Sequence, residues 1–155
     1  ATASRNSGKW ASSAADMPLA SHRTAIRVRY ADTDQMQIVY NGKYLEYFEV
    51  GRTELIRSLG LSYAEIERGG IWLPLIEAHC RYHQPARYDD VLIVESTVAD
   101  APRSSLRIDY AIRREDEDTL LVSGYTGHAF FDVAQQRPTR PPAFFLRAMG
   151  IPDHT

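Results

Sequence analysis

Two carboxylates, Asp32 and Asp34, lie where a strand-like segment gives way to a helix-like segment that begins near Tyr40. The first N–H groups of a helix have no acceptor within the helix, and the macrodipole places partial positive charge at that end. A carboxylate at such a junction can cap the helix or loop, as Asp commonly does. It can also act on a carbonyl group whose developing oxyanion those N–H groups stabilise. The spacing alone favours capping.

The elements that must position these carboxylates follow from hydrophobic periodicity. From Thr24 the chain alternates apolar and basic residues, which is the period-two pattern of a half-buried strand. Between Ile38 and Leu59 apolar residues recur every three or four positions, which predicts one long helix. Gly51 lies within its apolar stripe, where glycine lowers helix propensity by about 1 kcal/mol relative to Ala. A glycine at that position indicates close packing against a sheet.

Further elements follow the long helix. Ser62 and Glu65 resemble a capping box and predict a short second helix that ends near Arg68. Alternating apolar and polar residues then predict four strands, at residues 76–83, 91–98, 106–113 and 120–133. This order predicts an α+β domain in which an antiparallel sheet covers one helix. Because one helix leaves sheet edges uncovered, we expect a homo-oligomer formed by pairing of edge strands or packing of sheets.

A wider set of residues resembles a known family. The motif starts with Tyr30-Ala31-Asp32-Thr33-Asp34 and continues with Val39, Tyr40, Tyr44, Glu49, Arg52 and the turn Tyr88-Asp89-Asp90-Val91. It resembles the acyl-CoA thioesterases related to 4-hydroxybenzoyl-CoA thioesterase, over residues from about 24 to 149. The resemblance implies the hotdog fold, an antiparallel sheet wrapped around one long central helix. It also implies an acyl-CoA substrate that is hydrolysed without a cofactor, and a dimer or a homotetramer built from hotdog dimers.

The resemblance assigns roles to particular positions. Asp34 matches the catalytic carboxylate, and Asn41 matches the residue whose backbone N–H polarises the thioester carbonyl. Arg103, Ser104 and Ser105 lie where the family often contacts coenzyme A, and a guanidinium group suits its phosphates. Exposure to solvent is the alternative interpretation of these three residues.

Three further residues are candidates for substrate binding. Many members of the family have Gly at the position of Gln37, so a side chain there is expected to reshape the acyl pocket or the approach of the thioester. Tyr40 lines the acyl slot or packs at the helix start. Glu49 either faces a pocket shared with a partner subunit or pairs with Arg52 one helical turn away.

A catalytic Asp34 is compatible with two mechanisms. The carboxylate attacks the thioester and forms a mixed anhydride, or it removes a proton from an attacking water. Two other functions stay open: a non-catalytic acyl-CoA-binding protein on the same fold, and a hotdog hydratase or dehydratase. The latter needs a His beside a carboxylate, and we expect no His at the helix start beside Asp34. Asp32 is expected to be structural.

Length and composition limit the domain organisation, the partners and the cellular compartment that the sequence allows. The 155 residues fit one domain, expected at residues 24–149, with a leader or flexible tail at 1–23 and a C-terminal tail at 150–155. A net charge of -2 gives no global field for nucleic acid, and the Ala- and Ser-rich first segment lacks the apolar run of a secretory signal or membrane span. The lone Cys80 leaves no intrachain disulfide, so the cytoplasm is the expected compartment.

The spacing of the histidines resembles that of a pair of metal ligands, but strand geometry separates them too far. His79 and His83 are four positions apart, with His128 as a third candidate ligand. On a strand, positions four apart are about 13 Å distant, whereas each ligand of one zinc ion lies about 2 Å from it. We therefore expect no metal site. Cys80 alternates with apolar residues and is expected to be a buried, unactivated thiol.

Overall fold

The structure, a computed structural model, describes residues 17–152. The predicted leader therefore lies outside the described residues over 1–16, and the predicted C-terminal tail lies outside them over 153–155. Strand β1 spans Ala20–Arg27, so the ordered domain begins before the predicted boundary at Thr24. The reason is long-range pairing, because Ala20 lies opposite Val98 and the ladder runs without a break to Arg27.

One antiparallel sheet forms most of the domain. Its remaining strands are β2 (Ile71–Trp72), β3 (Leu75–Tyr82), β4 (Val91–Val98), β5 (Ser105–Arg114), β6 (Leu120–Asp132) and β7 (Arg137–Thr139). Strands β1, β4, β5 and β6 are neighbours in that order, and β2, β3 and β7 all pair with β6. The four predicted strands after the helices correspond to β3, β4, β5 and β6. Strands β2 and β7 were not predicted, because two or three residues are too short to show a period.

Helix α1 (Lys43–Ser58) packs against this sheet and contacts β1, β3, β4 and β5. Its buried side is the predicted apolar stripe, made of Tyr44, Tyr47, Phe48, Gly51, Leu55 and Ile56. The Phe48 ring stacks on Tyr110 of β5, with ring centroids 4.2 Å apart. The predicted α+β architecture, an antiparallel sheet around one long helix, is confirmed.

Helix α1 begins later than predicted. The apolar pattern starts at Ile38, but the helix begins at Lys43, after Gly42. The N–H of Val39 donates to Ala86 O and the N–H of Tyr40 donates to Asp32 O, at 2.8 and 2.9 Å. Val39 also forms an antiparallel bridge with Thr33, and Ile38 O accepts from the N–H of Asp34, so this backbone is paired with other segments and does not form helical turns before Lys43.

Residues 17–152 also contain a 3-10 turn at Tyr30–Asp32 and two short α-helices. Helix α2 (Tyr63–Arg68) begins as predicted, with the Ser62 hydroxyl accepting a hydrogen bond from the N–H of Glu65 at 3.2 Å. Helix α3 (Ala143–Ala148) was not predicted. It buries Phe145 edge-to-face against Phe130 of β6, with ring centroids 5.3 Å apart. No helix within residues 17–152 is long and apolar enough to cross a membrane.

The packing at Gly51 generates a test of the helix–sheet contact. A β-carbon at Gly51 would lie 2.5 Å from Ser96 Oγ and 2.7 Å from Val94 Cγ1 of β4. We therefore expect Gly51→Ala to lower the free energy of unfolding by about 1 to 3 kcal/mol, although Ala favours helix. Urea unfolding followed by circular dichroism measures this change.

The neighbouring Val50 provides the control, because its side chain is 42% exposed on the same helix. We expect Val50→Ala to change the unfolding free energy by no more than about 0.5 kcal/mol. Equal stability of Gly51→Ala and the unmodified chain would show that α1 can move away from β4 without loss.

Candidate active site

Asp34 lies in a small hairpin between β1 and α1. Thr33 and Val39 form an isolated antiparallel bridge. Inside it, the N–H of Asp34 donates to Ile38 O and the N–H of Gln37 donates to Asp34 O, both at 2.9 Å. The carboxylate Oδ1 accepts from the N–H of Met36 at 2.9 Å. Asp34 thus caps its own loop and not α1, and within residues 17–152 its second carboxylate oxygen has no hydrogen-bond partner.

Gln37 closes this hairpin in a backbone conformation that suits glycine. Its φ is 64°, in the left-handed region that L residues other than Asn and Asp seldom adopt. A tight turn followed by a left-handed residue is a common three-residue hairpin loop, with Gly favoured at that last position. This explains why Gly suits the position. The Gln37 side chain is exposed and does not line the cavity described below, so its predicted effect on the acyl pocket acts only through the backbone.

Asp32 has the opposite environment, since its side chain is only 2% exposed. Its Oδ2 accepts from the N–H of Arg29 at 3.1 Å and from the hydroxyl of Tyr47 at 3.0 Å. Its Oδ1 accepts from the Arg29 guanidinium at 3.0 Å, and Lys43 Nζ lies 3.9 Å away. Burial acts to raise the pKa of Asp32, but the hydrogen bonds from Arg29 and Tyr47 outweigh it, and the pKa is lowered. These contacts agree with a structural role.

A cavity of about 410 Å³ opens beside Asp34. Asp34 and Asn41 both line it, so the two residues predicted to be catalytic share one wall. The other lining residues are Met36, Ile38, Val39, Tyr44, Tyr82, His83, Gln84 and Pro85. Most of these side chains are apolar or aromatic, which suits a small organic group held against a few polar atoms.

The backbone at the start of α1 supplies free donors at this cavity. Asn41 and Gly42 lie directly before the 16-residue helix α1. Among residues 17–152, no group accepts a hydrogen bond from the N–H of Asn41 or of Gly42. The partial positive charge of the helix N-terminus adds to these donors. Asn41 lines the cavity and Gly42 follows it in the chain, so an oxyanion bound beside Asn41 would lie close to the unpaired N–H groups at the start of α1.

Two other predicted binding residues lie outside the cavity. The Tyr40 side chain is 54% exposed, and its ring packs over Gly42, where an added β-carbon would lie 2.8 Å from Tyr40 Cε1. This position agrees with packing at the helix start. Glu49 is exposed on α1, where the carboxylates that form ion pairs are those of Glu46 and Glu54.

The predicted contacts with coenzyme A lie far from Asp34 within one chain. Ser105 is the first residue of β5, and Arg103 and Ser104 precede it. The cavity lies at the other end of that strand, where Arg114 Nη2 donates to Pro85 O at 2.9 Å. Strand β5 is 10 residues long, so the two ends are about 30 Å apart. Within one chain these three residues therefore do not reach the Asp34 cavity, and their contact with coenzyme A stays a prediction.

Residues at the end of β3 were missed as site residues. Tyr82, His83 and Gln84 line the cavity, so a His shares it with Asp34 although none lies at the helix start itself. They are brought there by sheet pairing, because the N–H of His83 donates to Leu121 O at 2.8 Å. No local pattern marks this position, since the contact joins strands distant in sequence. His83 Nε2 lies 2.8 Å from Ser123 Oγ.

The remaining titratable candidates are outside this site. His128 is 2% exposed and hydrogen-bonds Thr126 Oγ1 through Nε2 at 2.9 Å. The pKa of His128 is lowered to about 4, mainly by burial and to a smaller extent by the positive charge of Arg52. Burial raises the pKa of the partly buried Cys80 thiol, which agrees with an unactivated cysteine. Within residues 17–152, no group of three His, Cys, Asp or Glu side chains is arranged to hold a metal ion.

Comparison with known proteins places this geometry in context. The chain matches a family profile described as the thioesterase-like superfamily over residues 28–149. It is 43% identical to YneP of Bacillus subtilis (strain 168) over 75 residues, which cover 48% of this chain and only 54% of that protein. It is 30% identical to YbgC of Escherichia coli O6:H1, named an acyl-CoA thioester hydrolase, over 77% of this chain and 89% of that protein.

A solved structure shares the fold. Slr0204 of Synechocystis, described as a 1,4-dihydroxy-2-naphthoyl-CoA thioesterase, superposes with a TM-score of 0.78 at 26% identity. The superposition covers 87% of this chain and 99% of that chain. Together with the matched profile, this likeness confirms the hotdog fold.

The contacts of Asp32 generate a stability test with a defined pH dependence. We expect Asp32→Asn to lower the free energy of unfolding by about 2 to 4 kcal/mol at neutral pH, because the buried Tyr47 hydroxyl and the exposed Arg29 guanidinium both lose a charged, buried acceptor. Urea unfolding at a series of pH values measures the difference between the two proteins.

The lowered pKa of Asp32 fixes the sign of that dependence. The carboxylate contributes its full stabilisation above the ordinary pKa of 3.8, and the contribution is lost as pH falls through the lower folded-state value. The difference between the proteins should therefore be constant from about pH 5 to pH 7 and shrink below about pH 4. A difference that grows in acid would contradict this interpretation.

Proposed function

The chain belongs to the thioesterase-like superfamily, and we propose that it hydrolyses an acyl-CoA thioester to the free acid and coenzyme A. One observation carries the proposal: Asp34 and Asn41 line one cavity at the start of α1, and the N–H of Asn41 has no acceptor among residues 17–152. The activity named for YbgC supports the reaction class. Hydrolysis of a thioester needs both a group that attacks or activates water and a site for the oxyanion.

The oxyanion site is the first part of the proposed mechanism. The thioester oxygen takes the place of the missing acceptor at Asn41, with its carbonyl carbon facing Asp34. As the carbonyl carbon becomes tetrahedral, negative charge develops on this oxygen, and the N–H groups stabilise it. The loss of one donor of this kind typically costs about 3 to 4 kcal/mol in the barrier.

Asp34 supplies the second part. As a nucleophile, its free carboxylate oxygen bonds to the carbonyl carbon, the C–S bond breaks, and coenzyme A leaves as the thiolate. Water then hydrolyses the resulting anhydride. As a general base, Asp34 instead takes a proton from water while the water oxygen bonds to the carbon, and the proton passes to the departing thiolate. Both routes consume one water and need the same placement of the substrate.

His83 supports a second candidate function, a hydratase or dehydratase of an acyl thioester. Such an enzyme needs a His and a carboxylate at the α-carbon, and His83 and Asp34 line the same cavity. The Nε2 atom of His83 is engaged with Ser123, however, and the named relative hydrolyses thioesters. We therefore place this function after hydrolysis. A non-catalytic acyl-CoA-binding protein would keep the cavity but would not depend on Asp34.

Strand β3 supports the predicted homo-oligomer. Among residues 17–152 it pairs only with β6, so its other edge is open there, and Leu75 and Ile76 are 52% and 60% exposed. Open edges with exposed apolar residues favour pairing with another strand. We propose that β3 pairs with β3 of a second copy around a two-fold axis. The predicted homotetramer and cytoplasmic location stay predictions.

The proposed dimer also accounts for the distant coenzyme A residues. In an antiparallel β3 pair, the Tyr82 end of one strand lies beside the Leu75 end of the other. Leu75 pairs with His128, close to the end of the sheet where Ser105 pairs with Ala129. The Arg103–Ser105 segment of a second copy would therefore approach the Asp34 cavity, and it could bind coenzyme A phosphates there.

The role of Asp34 is tested by thiol release from a panel of acyl-CoAs. We expect Asp34→Asn to lower kcat at least about 100-fold, because it removes the nucleophile or base. A thiol reagent measures free coenzyme A. Asp116→Asn, in the exposed acidic turn, is the matched control and should retain full activity.

Each alternative has its own outcome in this assay. No thiol release from any acyl-CoA by the unmodified protein would exclude a hydrolase. Equal release by Asp34→Asn would exclude a role for Asp34. A change in double-bond absorbance without thiol release would identify the hydratase or dehydratase.

The edge-strand proposal is tested by light scattering at micromolar concentration. We expect a mass at least twice that of one chain, and we expect Ile76→Lys to lower it, because charge on an open edge opposes pairing. Val50→Lys, exposed on α1, should leave the pairing of β3 intact. A monomeric mass for the unmodified protein would contradict the proposal.

A further inference from the structure

Tyr82, the last residue of β3, contacts the segment before α1. Its hydroxyl donates a hydrogen bond to the carbonyl oxygen of Asn41 at 3.0 Å, across 41 residues of sequence. The Tyr82 ring packs edge-to-face against Tyr44 of α1, with ring centroids 5.6 Å apart. Since the Tyr44 side chain is buried, this packing restrains the Tyr82 ring and the direction of its hydroxyl.

The carbonyl that Tyr82 binds belongs to the peptide between Asn41 and Gly42. The N–H of this same peptide is the unpaired N–H of Gly42. A hydrogen bond accepted by a carbonyl polarises the peptide unit, so that its N–H becomes a stronger donor. It also limits rotation of the peptide plane, which determines where that N–H points.

We propose that Tyr82 is a positioning residue, whose hydroxyl holds the Asn41–Gly42 peptide so that the Gly42 N–H joins the Asn41 N–H in binding the thioester oxygen. This inference rests on the proposed hydrolase function. It adds a second oxyanion donor at Gly42 to the one predicted at Asn41. Under this proposal, the end of β3 lies beside the start of α1 because Tyr82 acts there on the Asn41–Gly42 peptide.

The other side of the peptide is also restrained. The Tyr40 ring covers Gly42, and a β-carbon at that position would lie 2.8 Å from Tyr40 Cε1. Within residues 17–152, the hydroxyl of Tyr82 is the one group that donates to the Asn41 carbonyl from another element. The Tyr40 ring at Gly42 and the Tyr82 hydroxyl at the Asn41 carbonyl therefore both restrain this peptide.

The hydroxyl remains a donor across the range of a thioesterase assay. Partial burial and the nearby Cys80 thiol raise the pKa of Tyr82 to about 12. Tyr82 is therefore protonated at neutral pH, and no change in its charge complicates the measurement.

The variant Tyr82→Phe tests the proposal, because it removes the hydroxyl and keeps the ring against Tyr44. We expect kcat to fall about three- to tenfold, with KM changed less than about twofold, because the donor acts mainly on the developing oxyanion. Tyr88→Phe is the matched control, since Tyr88 is exposed and packs edge-to-face on Tyr30 away from the cavity. It should match the unmodified protein in both constants.

A second measurement does not depend on turnover. The ¹⁵N chemical shift of the Gly42 amide reports hydrogen bonding at the Asn41 carbonyl, because both atoms belong to one peptide unit. We expect this shift to change in Tyr82→Phe and to stay unchanged in Tyr88→Phe.

The outcomes separate this inference from the proposed function. An inactive unmodified protein would overturn the hydrolase function, and the role of Tyr82 with it. An active unmodified protein with an equally active Tyr82→Phe variant would overturn only the role of Tyr82. A rise in KM alone would show that Tyr82 is a wall of the pocket, and a fall in kcat without a change at the Gly42 amide would show that Tyr82 does not act through this peptide.

Discussion

The buried carboxylate of Asp32 is the constraint on which the site geometry depends. A buried charge is costly unless it is paired and hydrogen-bonded. Asp32 meets this condition because it accepts hydrogen bonds from the backbone N–H and guanidinium of Arg29 and from the hydroxyl of Tyr47. These contacts join the end of β1 to the first turns of α1. The path of the chain from residue 33 to residue 42 is restrained at both ends as a result.

Asp32, just before this segment, and Asp34, within it, have carboxylates with different surroundings. Both carboxylate oxygens of Asp32 accept hydrogen bonds from protein donors. Asp34 lies in a hairpin that uses one of its oxygens to accept from the Met36 N–H and leaves the other free beside the cavity. The left-handed backbone of Gln37 closes that hairpin. The start of α1 at Lys43 leaves the N–H groups of Asn41 and Gly42 without an acceptor among residues 17–152, and Asn41 lines the same cavity as Asp34.

The curved sheet connects this site to assembly. The end of strand β3 brings Tyr82 and His83 to the cavity, while no strand in the described part of the chain pairs with its outer edge. Pairing of two such edges would therefore bring a second copy close to each cavity. Under this proposal the same strand restrains the oxyanion peptide and forms the dimer interface. A binding residue such as Arg103, which is distant from Asp34 in one chain, would then act on the site of the other copy.

Local sequence determined the elements that depend on local forces. The apolar stripe of α1, the capping box of Ser62 and the four longer strands were predicted because periodicity and caps involve residues close in sequence. The resemblance to a family added Asp34 and Asn41, which share one cavity in the structure. Tertiary structure decided where α1 begins, because the bridge between Thr33 and Val39 and the hydrogen bond from the Val39 N–H to Ala86 O hold the backbone before Lys43 out of the helix. It also decided that Tyr82 and His83 line the cavity and that Arg103 does not, because sheet register and strand length join or separate residues regardless of their distance in sequence.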